Sequence, residues 1–161
     1  MSDGIDLMQI EGISFDLVLT LLAEVGMDLS MFPTAKNFVS WLCLSPNKKV
    51  SGGKVLSSKT RKNNHRLRQA FLRGAIGVSQ RKNTPLSHFY HRLAYSHGKG
   101  TAITATARKL AIIVYNMWQK RQPYRSEQLE QYQEKVRTQK IKQIQRTIRK
   151  LGVKENELSF A

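Results

Sequence analysis

The segment TAITATARKLAIIVYNMWQ, residues 101–119, carries apolar side chains at Ile103, Ala107, Leu110, Ala111, Val114 and Met117. Steps of three and four between them draw one stripe along a helix. Only Arg108 and Lys109 interrupt the segment with charge. A helix this apolar needs neighbours around much of its circumference, so it predicts the central helix of a mainly α, compact domain.

The flanking sequence supplies those neighbours. Pro85 to Tyr95 reads as a ring-bearing helix with Phe89, Tyr90 and Tyr95, closed by the turn Ser96 to Gly100. His65 to Gln80 returns to helical spacing through Leu67, Phe71, Leu72, Ala75, Ile76 and Val78, and its Gly74 and Gly77 leave room for another helix. Phe32-Pro33-Thr34 opens a further helix, with Thr34 as N-cap and Phe38, Val39, Trp41 and Leu42 on its apolar side. Asp6 to Val25 predicts two short helices around a tight turn, Ser14 capping the second. The Ile10-Glu11-Gly12-Ile13-Ser14 turn reads either as a helix-hairpin-helix element offering backbone N–H groups to a phosphate or as a plain helical hairpin in the core.

Between Lys48 and Asn64 the helical period disappears. Gly52-Gly53, Ser57-Ser58 and scattered cations predict a basic loop, with either a short strand or a hairpin at Lys49 to Leu56. A connection of that length in a compact domain is a candidate functional element. Downstream, Pro123 marks a boundary, giving a domain over residues 1–122 and a charged tail over 123–161. The tail repeats Leu129, Tyr132 and Val136, then Ile141, Ile144, Ile148 and Leu151, as a long amphipathic helix with a skip. It serves either as a solvated helix folded on the body or as an arm that recruits a partner.

Charge is distributed unevenly. The chain has 27 Lys and Arg against 11 Asp and Glu, a formal net charge of +16, yet no Asp or Glu lies between Leu29 and Ser126. Cations without competing carboxylates attract a polyphosphate by displacing its counterions. A hydrophobic fraction of 40% makes this a folded basic protein and not a basic tail. The single Cys43 allows no disulfide framework and reads as a buried small hydrophobe. Without a long apolar run or a signal-like N-terminus, the expected location is the cytoplasm, with no membrane partner.

The same distribution excludes several chemistries. His65, His88, His91 and His97 are the only imidazoles, and no carboxylate accompanies them in the central span, which argues against zinc, a Ser-His-Asp triad and paired-carboxylate hydrolysis. What remains is hydroxyl and cation chemistry at Val50-Ser51-Gly52-Gly53-Lys54. Two glycines after a serine let a phosphodiester come close, and Lys54, Arg61, Arg66 and Arg68 offer charge for its oxygens. On the residues alone, a phosphate-gripping loop and a catalytic loop are both open.

Three blocks together are more specific than any one of them: IEGIS at 10–14, FVSWLCLSPNKKVSGGKVLSSKTRK at 38–62, and TAITATARKLA at 101–111. In this order they closely resemble the C-terminal transposase domain of the insertion-sequence-one-ten family, bacterial DEDD-type recombinases guided by a bridge RNA. The resemblance covers about residues 5 to 120 and implies that Ser51, the serine before the two glycines, attacks DNA to form a phosphoserine link. It places Gly52, Gly53 and Lys54 in the site loop. Ser57 and Ser58 are the rival hydroxyls.

The resemblance further implies an N-terminal RuvC-like domain whose acidic residues bind magnesium. This chain starts just before the first block and looks like the C-terminal half alone, with no cofactor of its own and magnesium expected only with that partner domain. The expected function is therefore DNA transposition by the DNA-binding, serine-bearing half of a transposase. The alternative is a non-catalytic nucleic-acid-binding fragment that regulates or competes with the full enzyme. Expected nucleic-acid contacts are Lys48, Lys49, Lys59, Arg61, Lys62, Arg66 and Arg68, with Gly12 and Ser14 from the N-terminal turn. Expected partners are DNA, a guide RNA, the RuvC-like domain and further copies of the chain in a synaptic complex, at the bacterial nucleoid.

Overall fold

The structure is a computed structural model that describes residues 6–47, 49–61, 63–121, 124 and 129–152. Among them are six α-helices and one two-stranded antiparallel sheet: α1 Phe15–Val25, α2 Ala35–Trp41, β1 Lys49–Ser51, β2 Lys54–Ser57, α3 Arg66–Gln80, α4 Pro85–His97, α5 Lys99–Lys120 and α6 Leu129–Leu151. The fold is mainly helical, as the periodicity predicts. No helix among the described residues is long and apolar enough to cross a membrane. The chain divides into two compact units, residues 1–126 and 127–161.

Sequence-encoded caps set the helix starts in the first unit. Ser14, Thr34 and Thr84 each accept a hydrogen bond from the backbone N–H three residues on, at Leu17 (3.3 Å), Asn37 (3.3 Å) and Ser87 (3.2 Å). Each such cap contributes about 1 kcal/mol by satisfying a donor that the helix itself leaves free. Pro85, at the first position of α4, lacks the N–H that would otherwise go unpaired.

Helix α5 is the centre of this unit, packing against α2, α3 and α4, while α1 packs on α3. Its inward stripe, including Ala107, Leu110, Ala111 and Val114, is wholly buried. Phe38, Phe71, Leu67 and Leu42 close the same core, each worth roughly 1.5–3 kcal/mol of burial. An aromatic cluster of Phe32, Phe38, Trp41, Phe71 and Tyr115 joins α2, α3 and α5, with ring centroids 5.2–6.4 Å apart.

Four local expectations change. The first predicted helix is a single 3-10 turn, Leu7–Gln9, too short to satisfy a full α-helical ladder. Gly98, at φ +83°, is the whole break between α4 and α5, so the predicted five-residue turn is mostly helix. Gly74 receives the Gly12 turn where a helix was expected, and Gly77 has open space around it. Cys43 is half-buried at φ +54°, just past the end of α2, and Asn63 Nδ2 lies 3.7 Å from its sulfur.

The second unit contains α6, 23 residues long. Its Ile141, Ile144 and Leu151 side chains are exposed, and Gly152 follows at φ +65°.

Candidate nucleic-acid interface

The basic loop is a hairpin anchored to the core at both ends. On the entering side, Leu42 and Leu44 are buried and the Leu44 N–H donates to the Val39 carbonyl at 3.0 Å. On the leaving side, the His65 ring stands edge-on to Trp41 at 4.3 Å, and its Nε2 lies 3.5 Å from a Glu24 carboxylate oxygen. An isolated bridge between Pro46 and Thr60, with the Asn47 N–H donating to the Lys59 carbonyl at 3.2 Å, zips the base. A short two-stranded ribbon is marginal by itself, so these anchors hold it against the helices.

At the tip, Val50 pairs with Val55 and Ser51 with Lys54, leaving Gly52 and Gly53 as a two-residue turn. Both glycines have positive φ, +55° and +76°, the requirement of a type I′ hairpin turn. A Cβ added at either would meet nothing within 4 Å. Ser51, Gly52, Gly53 and Lys54 are all exposed. The rival hydroxyls differ: Ser57 Oγ accepts a hydrogen bond from the Lys59 N–H at 3.3 Å, whereas Ser58 lies at the hairpin base.

The predicted cations spread along this arm. Lys49, Lys54, Lys59, Arg61 and Arg66 are exposed, with Arg66 opening α3. Arg68 is half-buried, its Nη1 donating to the Asn63 carbonyl at 3.2 Å, so it also ties the hairpin's exit to α3. Lys48 and Lys62 lie outside the described residues. Arg73, one turn beyond Arg68 on α3, is engaged by Asp16 at 3.2 Å. Gly12 is half-buried against α3, and the Ser14 hydroxyl is committed to the α1 cap.

One feature escapes the pattern of cations in sequence. A groove of about 460 Å³ lies between the hairpin base and the first turns of α5. Its walls are Leu44, Pro46, Ser58, Lys59 and Thr60 on one side and Gly100, Thr101, Thr104, Ala105 and Arg108 on the other. Arg108 sits inside the most apolar segment of the chain and so reads as a helix-face charge. Its only sequence signal is a cation pair, Arg108-Lys109, one helical turn beyond Thr104 and two beyond Thr101.

The arm contributes no carboxylate, and no three His, Cys, Asp or Glu side chains gather among the described residues.

A profile of the family described as "Transposase IS116/IS110/IS902 family" matches residues 6–91, which runs from the N-terminal turn through the hairpin into α4. No curated protein and no solved structure matches the chain.

Proposed function

The chain belongs to the IS116/IS110/IS902 family of transposases, and from that premise we propose that its hairpin arm binds DNA and presents Ser51 as the nucleophile of strand transfer. The observation that carries this reading is the tip itself. Ser51 and Lys54 face each other across two glycines, in the open, on an arm without carboxylates.

In the proposed reaction the Ser51 oxygen forms a bond to phosphorus while one ester bond of the DNA breaks, releasing a strand end. The hydroxyl proton leaves to solvent or to a base on a partner domain. Because one phosphodiester replaces another, no external energy source is needed. Lys54 lies beside the reacting phosphate, and Arg61 and Arg66 add positive charge along the arm, which stabilises the negative oxygens more in the transition state than in the bound substrate. Lys48, Lys49, Lys59, Lys62 and Arg68 extend the electrostatic track, and the Gly12 to Ser14 turn is a further backbone contact.

A RuvC-like domain would supply the metal-binding carboxylates, and a guide RNA and further copies of the chain would complete a cytoplasmic, nucleoid-associated synaptic complex. Alone, the chain is then a binder that competes with the full enzyme.

The test is a covalent adduct. Labelled element-end DNA is incubated with the chain, alone and with a RuvC-like half and guide RNA, and run on denaturing gels. The expected result is a protein-linked label in the complemented mixture that disappears in Ser51→Ala. Persistent binding with no adduct in either mixture leaves the competitor reading.

A further inference from the structure

The groove between the hairpin base and α5 has two properties that its packing role does not require. First, the Nε of Arg108 is buried and has no hydrogen-bond acceptor among the described residues. A buried donor of a charged group without an acceptor is costly, on the order of 1–3 kcal/mol or more, so native structures usually provide one. Second, the walls add Lys59 and the hydroxyls of Ser58, Thr60, Thr101 and Thr104, and no acid. Of these hydroxyls, Thr104 Oγ1 already donates to the Gly100 carbonyl at 3.0 Å, which leaves those of Ser58, Thr60 and Thr101 as the donors the groove offers.

We infer that this groove is a second phosphate subsite, which holds one DNA backbone phosphate between Lys59 and Arg108. The occupant is a phosphodiester because the walls bring two cations and the hydroxyls of Ser58, Thr60 and Thr101 together with no acid to oppose a negative charge. The first turn of α5, whose start has no side-chain cap, faces the same space through Gly100 and Thr101. The inference rests on the reading of the hairpin as a DNA-binding arm and assigns the arm's base a task distinct from its tip.

The hairpin also sets the spacing. From Lys54 at the tip to Ser58 at the groove is four residues of extended chain, about 13 Å at roughly 3.3 Å per residue. Successive phosphates of one duplex strand rise about 3.4 Å along the axis but lie roughly 6–7 Å apart in space, so the groove grips the backbone about two nucleotides from the phosphate at Ser51. Two fixed points on one strand define its direction across the arm. The groove therefore positions the strand, and Lys59 and Arg108 are positioning residues that touch no reacting atom.

The experiment uses the full 161-residue chain. Binding of a mixed-sequence DNA duplex and of the matching RNA duplex is measured over a range of salt concentrations for wild type, Lys59→Gln, Arg108→Gln and Arg108→Lys. Each neutralised phosphate adds about 0.9 to the slope of log affinity against log salt on DNA. Lys59→Gln and Arg108→Gln are each expected to lower the DNA slope by about one and weaken binding several-fold, equally across unrelated sequences, as loss of a phosphate contact should. Arg108→Lys should restore most of the slope.

Lys59 is exposed in a loop, so a Lys59→Gln variant that keeps the full wild-type slope overturns the groove assignment even if Arg108→Gln fails to fold. A steep wild-type slope that both Gln variants retain overturns the groove assignment and leaves the transposase reading standing. A slope lost on RNA alone overturns DNA as the occupant. A flat wild-type slope overturns the DNA-binding arm itself.

Discussion

At the Gly12 turn an added Cβ would lie 2.6 Å from the Gly74 carbonyl oxygen and 2.6 Å from Val78 Cγ2, whereas at Gly52 and Gly53 it would meet nothing within 4 Å. Both turns have positive φ, +84° at Gly12 and +55° and +76° at the hairpin tip. In sequence the two look alike, as glycines within two residues of a serine that could admit a phosphate. In space they use the same conformational freedom for opposite ends. At Gly12 the missing side chain lets one backbone rest on another, and at the tip it leaves the approach to Ser51 and Lys54 clear.

The largest expected effect separates the two directly. Gly12→Ala adds left-handed strain of about 1–2 kcal/mol to an overpacking cost of about 1–3 kcal/mol against helix α3. Its urea unfolding free energy should fall by about 3 kcal/mol. Gly53→Ala carries the strain without the clash, on an exposed turn, and should lose about 1 kcal/mol. Equal losses would break the distinction, and a larger loss at Gly53 would reverse it.

That distinction also marks how far the sequence was legible. Helix positions followed from periodicity and caps: Ser14, Thr34 and Thr84 start helices where Ser and Thr precede apolar spacing, and the stripe of α5 is buried where its period places it. The hairpin was legible only as one option beside a plain basic loop or a single strand, and the positive φ of both glycines settles the turn type. The Gly12 to Gly74 contact was not, since it joins residues 62 apart in the chain and no local pattern encodes which backbone a glycine will meet. Nor was the groove. Thr101, Thr104 and Arg108 lie on a helix read for its apolar face, and only the return of the hairpin beside α5 gives their polar face a partner wall.

A smaller effect tests whether the core side of this contrast is held by polar contacts as well as packing. The Tyr115 hydroxyl on α5 is buried and donates to the Phe32 carbonyl at 2.6 Å, pinning the segment before α2. Tyr115→Phe removes the donor and strands the carbonyl, so stability should fall by about 1–2 kcal/mol in the same urea measurement. Ser57→Ala, which removes the exposed hydrogen bond to the Lys59 N–H, should stay within about 0.5 kcal/mol. A Ser57→Ala loss as large as that of Tyr115→Phe would mean that the hairpin is part of the cooperative core.

The smallest effect lies at the border of the acid-free span. Asp28 is its last upstream carboxylate, and its oxygens accept from the Ser30 hydroxyl at 2.5 Å and the Ser30 N–H at 2.7 Å. The Ser30 hydroxyl, then its N–H, hold the Asp28 carboxyl below the ordinary value of 3.8. A carboxyl depressed on folding contributes stability that is complete above its unfolded value and lost as pH falls through its folded one. The loss from Asp28 therefore comes below pH 3.8 and is slight, because the group is fully exposed. In an NMR titration the Ser30 amide should report a midpoint under 3.8 that Ser30→Ala raises toward it, since the variant removes the hydroxyl donor. The amides of Gly52 and Gly53 should stay still between pH 5 and 3, because the span around them holds no carboxyl to titrate. Movement of the glycine amides with the same midpoint as Ser30 would instead couple the hairpin tip to an acid elsewhere in the fold, and the arm's charge would then depend on the N-terminal helices.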